Sequence, residues 1–116
     1  NKAFIEDFIM FSFYKDSVLE NLGDGVKRRI LVHDGQMMCV ENSFERGAEG
    51  KLHSHPHEQI TYVLSGTFDF TIGKEHHIVK QGDTLHKLPN VVHGCKCIEP
   101  GCLLDIFTPQ REDFLK

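Results

Sequence analysis

From Val26 onward the chain is a succession of short runs of β-branched and apolar residues: "VKRRILV", "QMMCVENSF", "QITYVLSG", "TFDFTIG", "HHIVKQG", "DTLHKLP", "HGCKCIE" and "CLLDIFTP". Gly66, Gly73, Gly82 and Gly101 punctuate them. Many short strands at close spacing, separated by glycine-containing turns, restrict the fold to an antiparallel sandwich or barrel. Only "NKAFIEDFIMFSFYKDSVLENLG" has a different texture. There Phe4, Ile5, Phe8 and Ile9 recur at helical spacing, and Gly23 would stop such a helix. The expectation is a single all-β domain over residues 21–116, with residues 1–20 as an N-terminal extension that is helical or covers an edge strand.

A chain of 116 residues holds one core and is too short for two. Its net charge of −4 gives no general reason to bind nucleic acid or an anionic membrane surface. No apolar run approaches the length of a membrane span, and no signal peptide is visible. Cys39, Cys95, Cys97 and Cys102 follow neither a disulfide framework nor CxxC zinc-ribbon spacing. They read as reduced thiols in the strands of a cytoplasmic protein, with a metal role for "CKC" at 95–97 as the rival.

Residues 51–60, "KLHSHPHEQI", place three histidines at alternate positions, with Gln59 two residues after the last. On a strand, side chains two apart share a face, so His53 and His55 would project together. Neutral imidazoles are common ligands of transition metals. Pro56 should interrupt the ladder and turn His57 away, as a solvent-exposed turn residue or a donor behind the ligands. Gln59, opening the next strand, could add a carbonyl oxygen. A solvated histidine-rich loop is the plainer reading of HxH alone. A second segment accompanies it, however: "GDTLHKLPNVVHG", residues 82–94, runs from a glycine turn through a strand and a Pro89–Asn90 turn to His93. Asparagine suits a turn position of positive φ.

The strand "GCLLDIFTPQRED" carries a lone acid, Asp105, and alternation puts Leu103, Asp105 and Phe107 on one face. Apolar surroundings would raise the proton affinity of Asp105 into a range useful for acid–base catalysis. Alternatively it pairs with a base such as Arg111, or faces solvent on an edge. His33 falls in the turn "HDGQ"; His76, His77 and His86 lack ligand spacing with the main cluster and read as surface or strand residues. "KRR" at 27–29 reads as a solvated strand face, of which one cation could line a barrel mouth.

Together the two histidine segments resemble the paired motifs of the cupin superfamily. Gly47, His53, His55, Gln59 and Gly66 match the first, with glutamine in place of glutamate. Gly82, Leu88, Asn90 and His93 match the second, with proline displaced to Pro89 and asparagine in place of glycine. The resemblance implies a small double-stranded β-barrel, or jelly roll, holding one divalent ion (nickel, zinc, manganese or iron) through His53, His55, Gln59 and His93. These four donors are neutral, so the ion would keep its full charge, attract an anionic ligand and polarise oxygen.

"LGDGVKRRILVHDGQMM", the HxH…Q segment and "LLDIFTPQREDFL" are together similar to the KdgF family, small cupins of pectin and alginate breakdown. The similarity runs from about Leu22 to Leu115 and departs over the first nine residues. It implies conversion of 4,5-unsaturated uronate monosaccharides to linear keto-uronates, an isomerisation by ring opening and ketonisation. It places catalytic roles on Asp105, Phe107 and Arg111, and gives Gln59 both a metal-ligating and a substrate-lining role. Asp105 would move protons, Arg111 would offer a planar fork to the uronate carboxylate, and Phe107 would pack on the ring. The implied partners are a small anionic sugar and a second copy of the chain, with no nucleic acid and no membrane. Two rivals use the same barrel: a metal-dependent dioxygenase and a non-catalytic sugar-binding cupin.

Overall fold

The computed structural model describes residues 10–116. Phe4, Ile5, Phe8 and Ile9, on which the helical reading rested, lie outside the described residues. Ten strands follow in chain order: β1 (Glu20–Gly23), β2 (Val26–His33), β3 (Met38–Phe44), β4 (Glu49–His53), β5 (Glu58–Val63), β6 (Thr67–Ile72), β7 (Glu75–Lys80), β8 (Thr84–Lys87), β9 (His93–Glu99) and β10 (Gly101–Thr108). The eight expected strands are present, and β1 and β4 are additional. Between Met10 and Leu19 there is only a single 3-10 turn, Tyr14–Asp16, and the stretch through Gly23 that could have continued a helix is strand β1. No helix among the described residues is long and apolar enough to cross a membrane.

The strands form two antiparallel sheets, β1-β2-β3-β10-β5-β8 and β4-β9-β6-β7. Crossovers between them give the jelly-roll architecture. Side chains alternate as a half-buried sheet requires. In β10, Leu103, Asp105 and Phe107 point inward, and in β5 Gln59, Thr61 and Val63 do. The larger core cluster contains Phe44, Val63, Phe68, Phe70, Leu85 and Leu103, with Phe44 edge-on to Phe68 at 5.4 Å. Burying each such side chain contributes about 1.5–3 kcal/mol. Met38, Val40 and Phe107 form a second cluster. Polar residues replace apolar ones along the inward rows of β3, β5, β8 and β10, and these replacements build the site.

Candidate metal centre

His53 ends β4 and His93 begins β9, and the two stand directly opposite in the antiparallel pair. The close approach needs Gly94. A Cβ at that position would lie 2.7 Å from the Gly50 carbonyl oxygen and 3.0 Å from the Leu52 nitrogen. The expectation that His53 and His55 share one strand is corrected: β4 stops at His53, and His55 sits in the loop before β5. Its position is set instead by the other motif. The Asn90 backbone N–H donates to the His55 carbonyl oxygen at 2.8 Å, and Asn90 has the positive φ, 66°, foreseen for it.

The three imidazoles converge so that their ligand atoms all lie within 4.8 Å of one another. Each ring is oriented by the nitrogen that faces away. Nδ1–H of His53 donates to the Lys51 carbonyl at 2.7 Å, that of His55 to the His57 carbonyl at 3.0 Å, and that of His93 to the Val91 carbonyl at 3.0 Å. Backbone acceptors of this kind fix the tautomer and leave each Nε2 with a lone pair. Burial keeps two of the rings neutral. It lowers the pKa of His55, helped by the Arg111 charge, and pushes that of His93 down to about 4, helped by Lys87.

Gln59 completes the donor set. Its Nε2 donates to Asp105 Oδ1 at 2.8 Å, so its carbonyl oxygen must turn the other way, where it lies 3.0 Å from His55 Nε2. With the His55 proton on Nδ1, both of these atoms are acceptors. Facing lone pairs repel unless a cation lies beside them. Three imidazole nitrogens and an amide oxygen, all neutral, suit a divalent transition metal. The residues fit the ion that the motifs imply.

Asp105 is only 5 % exposed. Thr61 Oγ1 donates to its Oδ1 at 2.5 Å, and Asn42 Nδ2 donates to its Oδ2 at 2.7 Å. The carboxylate therefore neither faces solvent nor pairs with Arg111. Lys87, 3 % exposed, donates from Nζ to Thr61 Oγ1 at 2.9 Å and lies 4.7 Å from the Phe70 ring centre. Asn42, Phe70, Lys87 and Asp105 line a cavity of about 600 Å³ that His53, His93, Gln59 and Arg111 also reach. Burial disfavours the Lys87 charge and lowers its pKa, while Asp105 opposes that shift.

Arg111 lies over two rings, 4.3 Å from the centre of Phe114 and 5.1 Å from that of Phe107. Its Nε and Nη2 donate to Asp113 at 3.0 and 2.8 Å, leaving Nη1 uncommitted among the described residues. Phe107 packs edge-on to His55 at 5.9 Å, so the putting together of arginine, ring and histidine is continuous. Arg28, from the "KRR" run, lines the same cavity, pairs with Glu20 at 3.1 Å and covers Phe114 at 4.1 Å.

His57 is half-buried rather than solvent-exposed, with its ring 6.4 Å from Phe107 and its carbonyl orienting His55. His76, His77 and His86 make surface contacts with Asp69, Glu75 and Glu58. All four cysteines are free thiols, and none joins the histidine group among the described residues. Burial pushes the Cys95 thiol up to about 11. Sequence reasoning missed Asn42, Thr61 and Lys87. The available signal was period-two alternation, which aligns Asn42 with Val40, Thr61 with Gln59, and Lys87 with Leu85.

The cupin domain family matches residues 40–107, which carry all four candidate ligands and Asp105. A pectin degradation protein, KdgF, from Dickeya dadantii is 43% identical over 98 residues, covering 83% of this chain and 89% of that protein. Among solved structures, an RmlC-like cupin from Shewanella frigidimarina superposes with a TM-score of 0.88 at 38% identity, over 91% of this chain and 96% of the other. KdgF from a Halomonas species does so with a TM-score of 0.86 at 31% identity, over 90% and 98%.

Proposed function

This chain belongs to the cupin family and is KdgF-like within it, and from that premise we propose that it converts 4,5-unsaturated uronate monosaccharides into linear keto-uronates. The observation that carries the reading is the double engagement of Gln59. One amide group touches the carboxylate of Asp105 at 2.8 Å and the histidine cluster at 3.0 Å. A proton-moving group and a charge-stabilising centre therefore act on the same small ligand.

The substrate is a cyclic enol ether with a hemiacetal carbon at C1. Cleavage of the bond between C1 and the ring oxygen turns C1 into an aldehyde as its hydroxyl loses a proton. The ring oxygen stays on C5 as an enolate, and a proton arriving at C4 makes C5 a ketone. One proton leaves and one arrives, so the conversion is an isomerisation. A divalent ion held by His53, His55, His93 and Gln59, for which nickel, zinc, manganese and iron are all suitable, would supply Lewis acidity for the developing enolate charge. Asp105 moves the proton, general acid–base transfer of this kind contributing about 10²–10⁴-fold. Gln59 orients the substrate beside that carboxylate. Arg111 receives the uronate carboxylate on Nη1, the nitrogen not engaged by Asp113, and Phe107 packs against the sugar ring.

The test is incubation with an unsaturated uronate, following loss of its conjugated ultraviolet absorbance and the product by NMR. Asp105→Asn should lower turnover by at least about 10²-fold with metal content intact; retained turnover would contradict the proton-transfer role. Turnover that needs and consumes oxygen would favour a dioxygenase. Uronate binding without chemical change would favour a sugar-binding cupin.

A further inference from the structure

We propose that Lys87 is a positioning residue for this reaction, acting through Thr61 to fix which oxygen of Asp105 faces the chemistry. The inference rests on the uronate reading for its consequence in turnover, but its geometry stands on the hydrogen bonds alone. An ammonium group donates and never accepts. Lys87 Nζ, 2.9 Å from Thr61 Oγ1, therefore obliges that oxygen to accept from it. The single hydroxyl proton of Thr61 is then directed to Asp105 Oδ1, 2.5 Å away. Gln59 Nε2 donates to the same Oδ1 at 2.8 Å.

Both lone-pair directions of Oδ1 are thereby committed, whereas among the described residues Oδ2 accepts only from Asn42. The uncommitted acceptor position of the buried carboxylate is on Oδ2. Without Lys87, Thr61 Oγ1 keeps only the longer Gln59 Nε2 donor at 3.4 Å, which orients its hydroxyl less firmly, and one of the three anchors of the carboxylate plane is loosened. Lys87 itself has few alternatives. It is 3 % exposed, packed over Phe70, and stands opposite Gln59 in the β5–β8 ladder. Lys87 and Asp105 are thus joined through one hydroxyl.

A double-mutant cycle on the full-length, metal-loaded protein tests this. Thr61→Val should lower kcat by about 10²-fold, the scale of a misplaced catalytic group, with KM and metal content unchanged, and Thr61→Ser should restore it. Lys87→Met should give a similar loss, and the double variant should be no worse than either single one, because both remove the same link. Multiplying losses, or a Lys87→Met effect confined to KM, would show that Lys87 instead touches substrate, and would overturn the proposal. A readout independent of turnover is the Thr61 hydroxyl proton, which should be slowly exchanging by NMR in the wild type and unprotected in Lys87→Met. Persistence of that protection in Lys87→Met, or its absence in the wild type, would also overturn it. A wild type inert toward unsaturated uronates would refute the functional reading, and the hydroxyl resonance would still decide the role of Lys87.

Discussion

Gln59 donates its amide N–H to Asp105 Oδ1 at 2.8 Å, and this bond dictates which end of the amide faces the histidines. A neutral amide thus suits this position on two counts. A carboxylate at position 59 would reduce the charge of any ion bound there, and it would also confront Asp105 with a second negative charge. Two carboxylates at hydrogen-bond distance cannot both ionise.

Gln59→Glu is therefore expected to keep metal, since a carboxylate is itself a ligand, but to lower kcat by about 10²-fold or more by forcing Asp105 and residue 59 to share a proton. Metal content by mass spectrometry and kcat on the same preparation check this. Undiminished kcat would mean that the amide of Gln59 does not matter to Asp105.

The planar group of Arg111 is held by Phe107 and Phe114 as well as by Asp113. Arg111→Lys keeps the charge and loses both the fork and the stacking, which are not interchangeable with an ammonium. KM for an unsaturated uronate should rise by about 10-fold, one lost charge-assisted bond, with a smaller change in kcat. An unaltered KM would remove Arg111 from carboxylate recognition.

The strands carrying strong apolar alternation, β5, β6 and β10 among them, were legible because their burial is what makes them strands. β1 "ENLG" and β4 "EGKLH" were not, since each has a single leucine and lies at a sheet edge. Pairing with β2 and β9 forms them, and pairing is not written in local composition. The convergence of the candidate ligands was legible as motif spacing even though His55 is not on a strand. Lys87 was not. Its burial depends on Thr61 from the neighbouring strand and on Phe70 from the opposite sheet, and a lone lysine ordinarily indicates surface.

Burial holds His93 down to about 4 and lowers His55, against 6.5 for a free imidazole. Between these values the unfolded chain binds protons that the folded, metal-free protein refuses, so stability rises with pH across the window and is fully present above it. Acidification from pH 7 to pH 4 should cost the metal-free protein about 2–3 kcal/mol from His93, with His55 adding in the same direction. Urea midpoints measured across that range check the slope. His93→Gln should flatten it, and an equally steep dependence in that variant would assign the acid sensitivity to other groups.

Gly94 decides whether His53 and His93 can meet at all. A methyl group there would sit 2.7 Å from the Gly50 carbonyl and 3.1 Å from the Leu52 Cα, both backbone atoms that no rotamer change can move. Gly94→Ala must therefore push β4 away from β9 at the register where the two candidate ligands face each other. Overpacking of this kind costs about 1–3 kcal/mol. The displacement falls next to His93, so metal affinity should drop as well, by about 10-fold or more, as when the support of a ligand is lost. Calorimetric titration of the metal-free variant with zinc or nickel measures this. Wild-type affinity in a folded Gly94→Ala protein would show that His53 does not depend on the β4–β9 approach for its place among the ligands.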